Sequence, residues 1–301
     1  MVKPTHFSGY DSRVTEACER VLVTLLRGLG PYKESVYLVG GLVPNYIVRE
    51  RPPKVPAHAG TGDIDIVIDL ALLTDTDAYK TLEENLHRIG FTRAENDDGA
   101  KRSWQWQIEI EEGLIVLLEF LAEGPEGKAG TAKPLPSDGN VSAIHIPHAS
   151  IIPDFYEEKE IKAELLGDDG ISTETVRFAD IVGFTCLKAF AFEQRNERKD
   201  AHDLVYCFEH MDGAPDKVIE KLADAKQSKH ANVVLKAIDI LAKRFCDDDV
   251  EGYQKDGPVA VAKFELGENP DGEMRNQLIL RQRNVSEIVS KVVSALVENQ
   301  N

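Results

Sequence analysis

"VYLVGGLVPNYIV" (residues 36–48), followed closely by "TGDIDIVIDL" (residues 61–70), decides how this chain is read. The apolar run Val36–Val39 has the length of a short buried strand. It stops at two adjacent glycines, Gly40 and Gly41, and "LVPNYIVRE" then opens as a helix, with Pro44 in the first turn where a missing N–H costs little. "DIDIVIDL" alternates strictly, with Ile64, Ile66 and Ile68 on one face and Asp63, Asp65, Val67 and Asp69 on the other, which is the period of a β-strand.

Working outward, Val14, Ala17, Cys18, Val21, Leu22, Leu25 and Leu29 recur at steps of three and four. They predict an amphipathic helix over 12–29 that ends at Gly28 or Gly30. Residues 75–89 predict another helix, stopped by Gly90. "SWQWQIEIE" (103–111) reads as a strand with Trp104, Trp106, Ile108 and Ile110 on one side, and Gly113 turns the chain into "LIVLLEFLA" (114–122). To residue 122 the order is α-β-α-β-α-β-β, an α/β (α+β) unit with a mixed sheet flanked by helices. Residues 123–140, rich in Gly and Pro, read as a loop. "VSAIHIPHASII" (141–152) and "STETVRF" (172–178) supply one or two further strands. A mainly helical region begins at "ADIVGFTCLKAF" and continues through 215–245 and 276–299, so the chain divides into 1–175 and a helical C-terminal domain, 176–301.

A chain of 301 residues, 42% of them apolar, is long enough for two modest domains or one large one. No run approaches the roughly 20 apolar residues that cross a bilayer, and "MVKPTHFSGYDSR" lacks a signal-peptide core. The expectation is a cytoplasmic protein with no membrane partner. Cys18, Cys186, Cys207 and Cys246 are scattered without a CxxC pair, as packed reduced thiols are. A formal charge of −17 disfavours nonspecific binding to phosphate backbones at long range while permitting a local basic pocket.

The chemistry concentrates on a few residues. Asp63 and Asp65, two apart on one strand, hold carboxylates about 7 Å apart on one face, a spacing that suits a shared Mg²⁺ or Mn²⁺ as well as a merely solvated face. Glu119 interrupts the apolar run 114–122, either as a third metal ligand from a neighbouring strand or as an edge residue facing water. Gly40 and Gly41 permit close approach of a phosphate to backbone N–H groups, or mark a tight turn. Thr61 offers its hydroxyl either to a phosphate or to a turn. If residues 184–204 were one unbroken helix, Lys188, Arg195, Lys199 and Asp203 would share a stripe about 80° wide, facing an anionic ligand or solvent; a break at "RNER" would leave only part of that stripe. Asp200 and Asp203 would orient the lysines or act in catalysis. A phosphate cradle beside a carboxylate metal site describes phosphoryl chemistry on a nucleotide.

"LVGG" before a helix, "TGDIDIVID" on the next strand and an acidic residue on a later one resemble the polymerase-beta-like nucleotidyltransferase superfamily. "GFTCLKAFAFEQRNERKDAHDL" (183–204) resembles the later motifs of its AbiEii-type members, the toxins of type IV toxin–antitoxin and abortive-infection systems. The likeness spans roughly residues 36–210 in order. It implies a nucleotidyltransferase core that transfers a nucleoside monophosphate from a nucleoside triphosphate to a hydroxyl of RNA (a tRNA end), of protein, or of a small molecule such as an aminoglycoside. A cognate antitoxin is an implied partner. Gly40 and Gly41 would cradle the triphosphate, Asp63 and Asp65 would hold Mg²⁺, Glu119 would serve as metal ligand or general base, and Lys188 would contact phosphate. The family often carries Asp at the third carboxylate, where this chain has Glu119. A different class of function is a noncatalytic nucleotide-binding partner protein that keeps the fold.

Overall fold

The computed structural model describes residues 4–69, 82–95, 99–125, 129–135, 141–246, 251–268 and 271–298. The chain forms two compact units, one of residues 11–43 and 60–180, the other of residues 1–10, 44–59 and 181–301.

The first unit is built on a mixed sheet. Its elements are α1 (Ser12–Leu29), β1 (Val36–Val39), β2 (Asp63–Ile68), α3 (Leu82–Ile89), β3 (Thr92–Glu95), β4 (Lys101–Glu111), β5 (Leu114–Glu123), β6 (Ala132–Pro134), β7 (Ser142–Ile146), β8 (Tyr156–Glu164) and β9 (Ile171–Ala179). The strands run β3-β4-β5-β2-β1-β9-β8, with β7 beside both β5 and β6. Three pairs, β2 with β5, β5 with β7 and β1 with β9, are parallel, and the others are antiparallel.

Alternation sorts the side chains of β2 and β5. Ile64, Ile66, Leu118 and Phe120 are at most 1% exposed, whereas Asp63, Asp65, Leu117 and Glu119 on the opposite face are half-buried. Helix α1 packs on the sheet against β5, β8 and β9 and alongside α3. Asp11 caps α1 by accepting from Arg13 N at 2.9 Å, and Gly30 ends it at φ +59°. Gly28 stays inside the helix, where a Cβ would meet Ile89 Cδ1 at 2.8 Å, so its small size serves the α1–α3 contact. The helix expected over 75–89 is present as α3 from Leu82, and 75–81 lie outside the described residues. The two expected strands appear as β7 and β9.

Strand β8, "YEEKEIKAE", escapes a hydrophobic reading because it ends the sheet and pairs only with β9. Ile161 is its one buried residue, and its charges blunt an edge that would otherwise template pairing. The stretch 123–140, expected as loop, carries the short strand β6, with residues 126–128 and 136–140 outside the described set.

The second unit is helical: α2 (Pro44–Ile47), α4 (Ile181–Arg195), α5 (Arg198–His210), α6 (Asp216–Ala225), α7 (Ala231–Phe245), α8 (Asp256–Leu266) and α9 (Glu273–Glu298). Helix α5 is buried at every position from Asp200 to Phe208 and packs against α2, α4, α8 and α9, the pattern of a helix surrounded by its own unit. The unbroken helix over 184–204 does not form. Asn196 adopts φ +53°, and the chain restarts as α5 after Glu197.

Candidate functional site

The sheet unit brings the expected carboxylates together. Asp63 and Asp65 share a face of β2 by strand alternation, and the parallel register sets Asp65 directly beside Glu119 of β5. Antiparallel pairing then places Val39 on the other side of Asp65 and Gln105 of β4 beyond Glu119. The result is one cross-sheet row, Val39–Asp65–Glu119–Gln105, with Asp63 in the adjacent row. Adjacent strands lie about 4.8 Å apart, so three acidic side chains converge on one patch. Gln105, 6% exposed, donates from Nε2 to Glu119 Oε1 at 2.6 Å and accepts at Oε1 from Arg102 at 2.8 Å.

The glycine turn closes over the same patch. Gly40 has φ +73°, and a Cβ built there would sit 1.9 Å from Asp65 Oδ2 and 2.8 Å from Asp65 Cβ. Any other residue would therefore be strained in its backbone and would collide with the carboxylate. Gly40–Leu42 form a single 3-10 turn, closed by Val43 N donating to Gly40 O at 3.3 Å. The helix that follows, α2, is only one turn long, shorter than "LVPNYIVRE" suggested, so it carries little macrodipole. Any anion affinity here rests on the turn's own N–H groups.

Thr61, 5% exposed, has its hydroxyl on the backbone of Asp63, accepting from Asp63 N at 3.1 Å. The turn role is the one its geometry realises, at the point where the chain enters β2. Cys18 lies under this entry and donates to Thr61 O at 3.6 Å; burial raises its thiol pKa, and the charges of Asp63 and Asp65 raise it further.

Lys188, Arg195, Lys199, Asp200 and Asp203 gather in the helical unit, in an arrangement set by the bend at Asn196. Lys188 Nζ donates to Asp200 Oδ1 at 2.8 Å and to Asp203 Oδ2 at 2.7 Å. Arg195 grips Asp200 through two bonds of 2.7 and 2.9 Å, and Lys199 donates to both oxygens of Asp203 at 2.8 Å. His58 Nε2 lies 2.9 Å from Asp203 Oδ1. Burial alone would raise the pKa of Asp203, but Lys188, Lys199 and His58 hold it well below the usual carboxylate range. Burial would discharge Lys188, and the two aspartates instead hold its pKa above the ordinary value. For His58 burial wins, lowering its pKa to about 4, so the imidazole is neutral and donates Nε2–H to Asp203.

His58, His202 and Asp203 also offer ligand atoms within 4.8 Å of one another. His202 Nδ1 lies 3.0 Å from Glu265 Oε1, and its buried Nε2 has no hydrogen-bond partner among the described residues. Charge argues against a metal centre at this point. Asp203 already receives two ammonium groups and the His58 N–H, and three cations surround two carboxylates, so a divalent ion would have to displace a buried ion pair. The cluster reads as an internal polar network that holds α4, α5 and the 44–59 segment together.

Periodicity did not flag His58 and Gln105. Gln105 lies between Trp104 and Trp106, and alternation alone turns it to the face opposite Trp106, which is fully buried. His58 meets Asp203 across 145 residues, which no local pattern encodes. The four cysteines are free and buried, and among the described residues no helix is long and apolar enough to cross a membrane. Comparison with protein-family models and with curated proteins finds no match to this chain.

Proposed function

We propose that the chain is a Mg²⁺-dependent nucleotidyltransferase of the polymerase-beta-like kind, AbiEii type, which transfers a nucleoside monophosphate from a nucleoside triphosphate to a hydroxyl acceptor. The observation that carries the proposal is the register: Asp65 beside Glu119 on adjacent parallel strands, Asp63 on the same face, and Gly40 pressed against Asp65. Three carboxylates from two rigid strands form a hard-oxygen donor set that fits Mg²⁺ or Mn²⁺. When bound, such an ion supplies charge neutralisation for the triphosphate and an oriented template for in-line attack at the α-phosphate, with pyrophosphate as the leaving group.

The chain's own residues divide the remaining work. Asp63 and Asp65 hold the ion, Glu119 completes the set as ligand or general base, and the backbone N–H groups of Gly40 and Gly41 cradle the triphosphate. The likeness of residues 183–204 to the later family motifs would give Lys188, Arg195 and Lys199 a phosphate role, but within the helical unit they are engaged by Asp200 and Asp203, so the reaction proposed here draws on the sheet residues alone. The acceptor is an RNA such as a tRNA, a protein or a small molecule, and a toxin paired with an antitoxin is the biological setting the likeness favours.

One observation favours a second function, a nucleotide-binding partner protein without turnover. Lys188 is 6% exposed and engaged by two carboxylates, so its charge is spent inside the unit. One experiment separates the two. The protein and its Asp63→Ala/Asp65→Ala variant are incubated with Mg²⁺ and each α-labelled nucleoside triphosphate, with and without cellular RNA and protein extract. Label transferred by the wild type alone supports the enzyme and identifies the acceptor class. Mg²⁺-dependent triphosphate binding without transfer supports the binding protein, and neither result rejects both.

A further inference from the structure

We propose that Gln105 is a positioning residue for the carboxylate face, holding Glu119 in its row with Asp65 through a relay anchored on Arg102. This rests on the metal-binding role given to Asp63, Asp65 and Glu119 above.

The relay has only one workable polarity. Arg102 can only donate, so the group it meets in Gln105 at 2.8 Å must be the amide oxygen. That fixes the amide's orientation and turns its NH₂ toward Glu119 Oε1 at 2.6 Å, where the carboxylate can only accept. A flipped amide would set two donors and two acceptors against each other. The register shift between β3 and β4 around Arg93 and Glu95 is the irregularity beside which Arg102 reaches a side chain three residues ahead.

The residue type matters as much as its place. Glu119 stands directly beside Asp65, and two like charges in register repel. A lysine or arginine at position 105 would fix Glu119 by neutralising it and would compete with a cation for the same oxygens. A neutral amide orients the carboxylate and leaves the charge of the face intact, while Arg102 is kept one side chain away. Partners of this kind, bonded to a ligand rather than to the ion, typically change metal affinity by about 10- to 100-fold.

Mn²⁺ binding, followed by the loss of free-ion electron paramagnetic resonance signal, tests the relay without any assay of turnover. Gln105→Leu is expected to weaken Mn²⁺ binding by about 10-fold or more while keeping the wild-type melting temperature within a few degrees. Arg102→Met, which releases the amide but keeps it, is expected to weaken binding less than Gln105→Leu. Gln105→Lys is expected to abolish binding, because the ammonium occupies the cation's place. Mn²⁺ affinity within about twofold of wild type in Gln105→Leu, with binding lost in Asp63→Ala/Asp65→Ala, overturns the relay and leaves the metal site standing. Failure of the wild type itself to bind Mn²⁺ overturns both. Should Gln105→Leu not fold, Arg102→Met decides alone: unchanged affinity there overturns the relay.

Discussion

The sheet unit and the helical unit handle buried and half-buried charge in opposite ways. On the sheet, Asp63, Asp65 and Glu119 gather like charges on one half-open face, and Gln105 sets a neutral amide against Glu119. In the helices, Lys188, Arg195 and Lys199 interleave with Asp200 and Asp203, and the two aspartates are at most 2% exposed. A like-charged patch costs folding energy, and a bound cation offsets that cost. An interleaved cluster settles its charges internally, and removing one of its buried members disturbs that balance. The first arrangement is suited to binding and the second to holding a fold.

This contrast is broken most sharply at Lys188. Lys188→Met leaves Asp200 and Asp203 without their shared ammonium and is expected to cost about 3–5 kcal/mol in a urea melt. A loss below about 1 kcal/mol would mean that the cluster is not structural.

The next largest effect is acid sensitivity through His58. Its pKa falls from 6.5 to about 4 on folding, because burial excludes the charged ring despite the neighbouring Asp203. The unfolded chain then binds the extra proton first, so stability is full above pH 6.5 and declines as the pH drops toward 4, by about 3 kcal/mol. His210, also lowered by burial, adds a contribution of the same sign. Below that range Asp200 and Asp203, whose folded pKa values are depressed, take over as the source of loss. His58→Gln, which can still donate to Asp203, is expected to flatten the decline between pH 6.5 and 4 in melts recorded across that range.

Gly40→Ala comes third. The positive φ and the collision with Asp65 together are expected to cost about 1–3 kcal/mol, and Mn²⁺ affinity is expected to fall with stability, because Asp65 must move. Arg195→Ala is smaller, at about 1 kcal/mol or less, since the guanidinium is 55% exposed and Asp200 keeps Lys188. Smallest in stability is Asp63→Ala/Asp65→Ala, expected within about 1 kcal/mol of wild type because it removes like charges from one face, although label transfer falls to background. A large destabilisation there would make the carboxylates architectural and erase the contrast.

Much of the sheet was legible because alternation is a local signal. "DIDIVIDL" places Asp63 and Asp65 on one side with no knowledge of the neighbours, and "LIVLLEFLA" marks Glu119 as out of place among apolar residues. That Glu119 stands beside Asp65 depends on the register of two parallel strands about fifty residues apart, which neither stretch contains. The helical motif was legible in composition and not in shape. Lys188 and Lys199 do converge on Asp203, but through a bend at Asn196 whose left-handed backbone the sequence marks only weakly, with an Asn that tolerates αL. Strand β8 was hidden because charged residues fill an edge strand that has little core to face. The passage of residues 44–59 into the helical unit was equally hidden, since Tyr206 Oη donating to Pro56 O and His58 meeting Asp203 are contacts across about 150 residues.

The most direct test of the central claim is the anomalous scattering of Mn²⁺ in crystals of the wild-type protein soaked with the ion. The expected result is a peak bounded by Asp63, Asp65 and Glu119, absent in Asp63→Ala/Asp65→Ala crystals. A peak instead at His58, His202 and Asp203, or none at the sheet carboxylates, would contradict it.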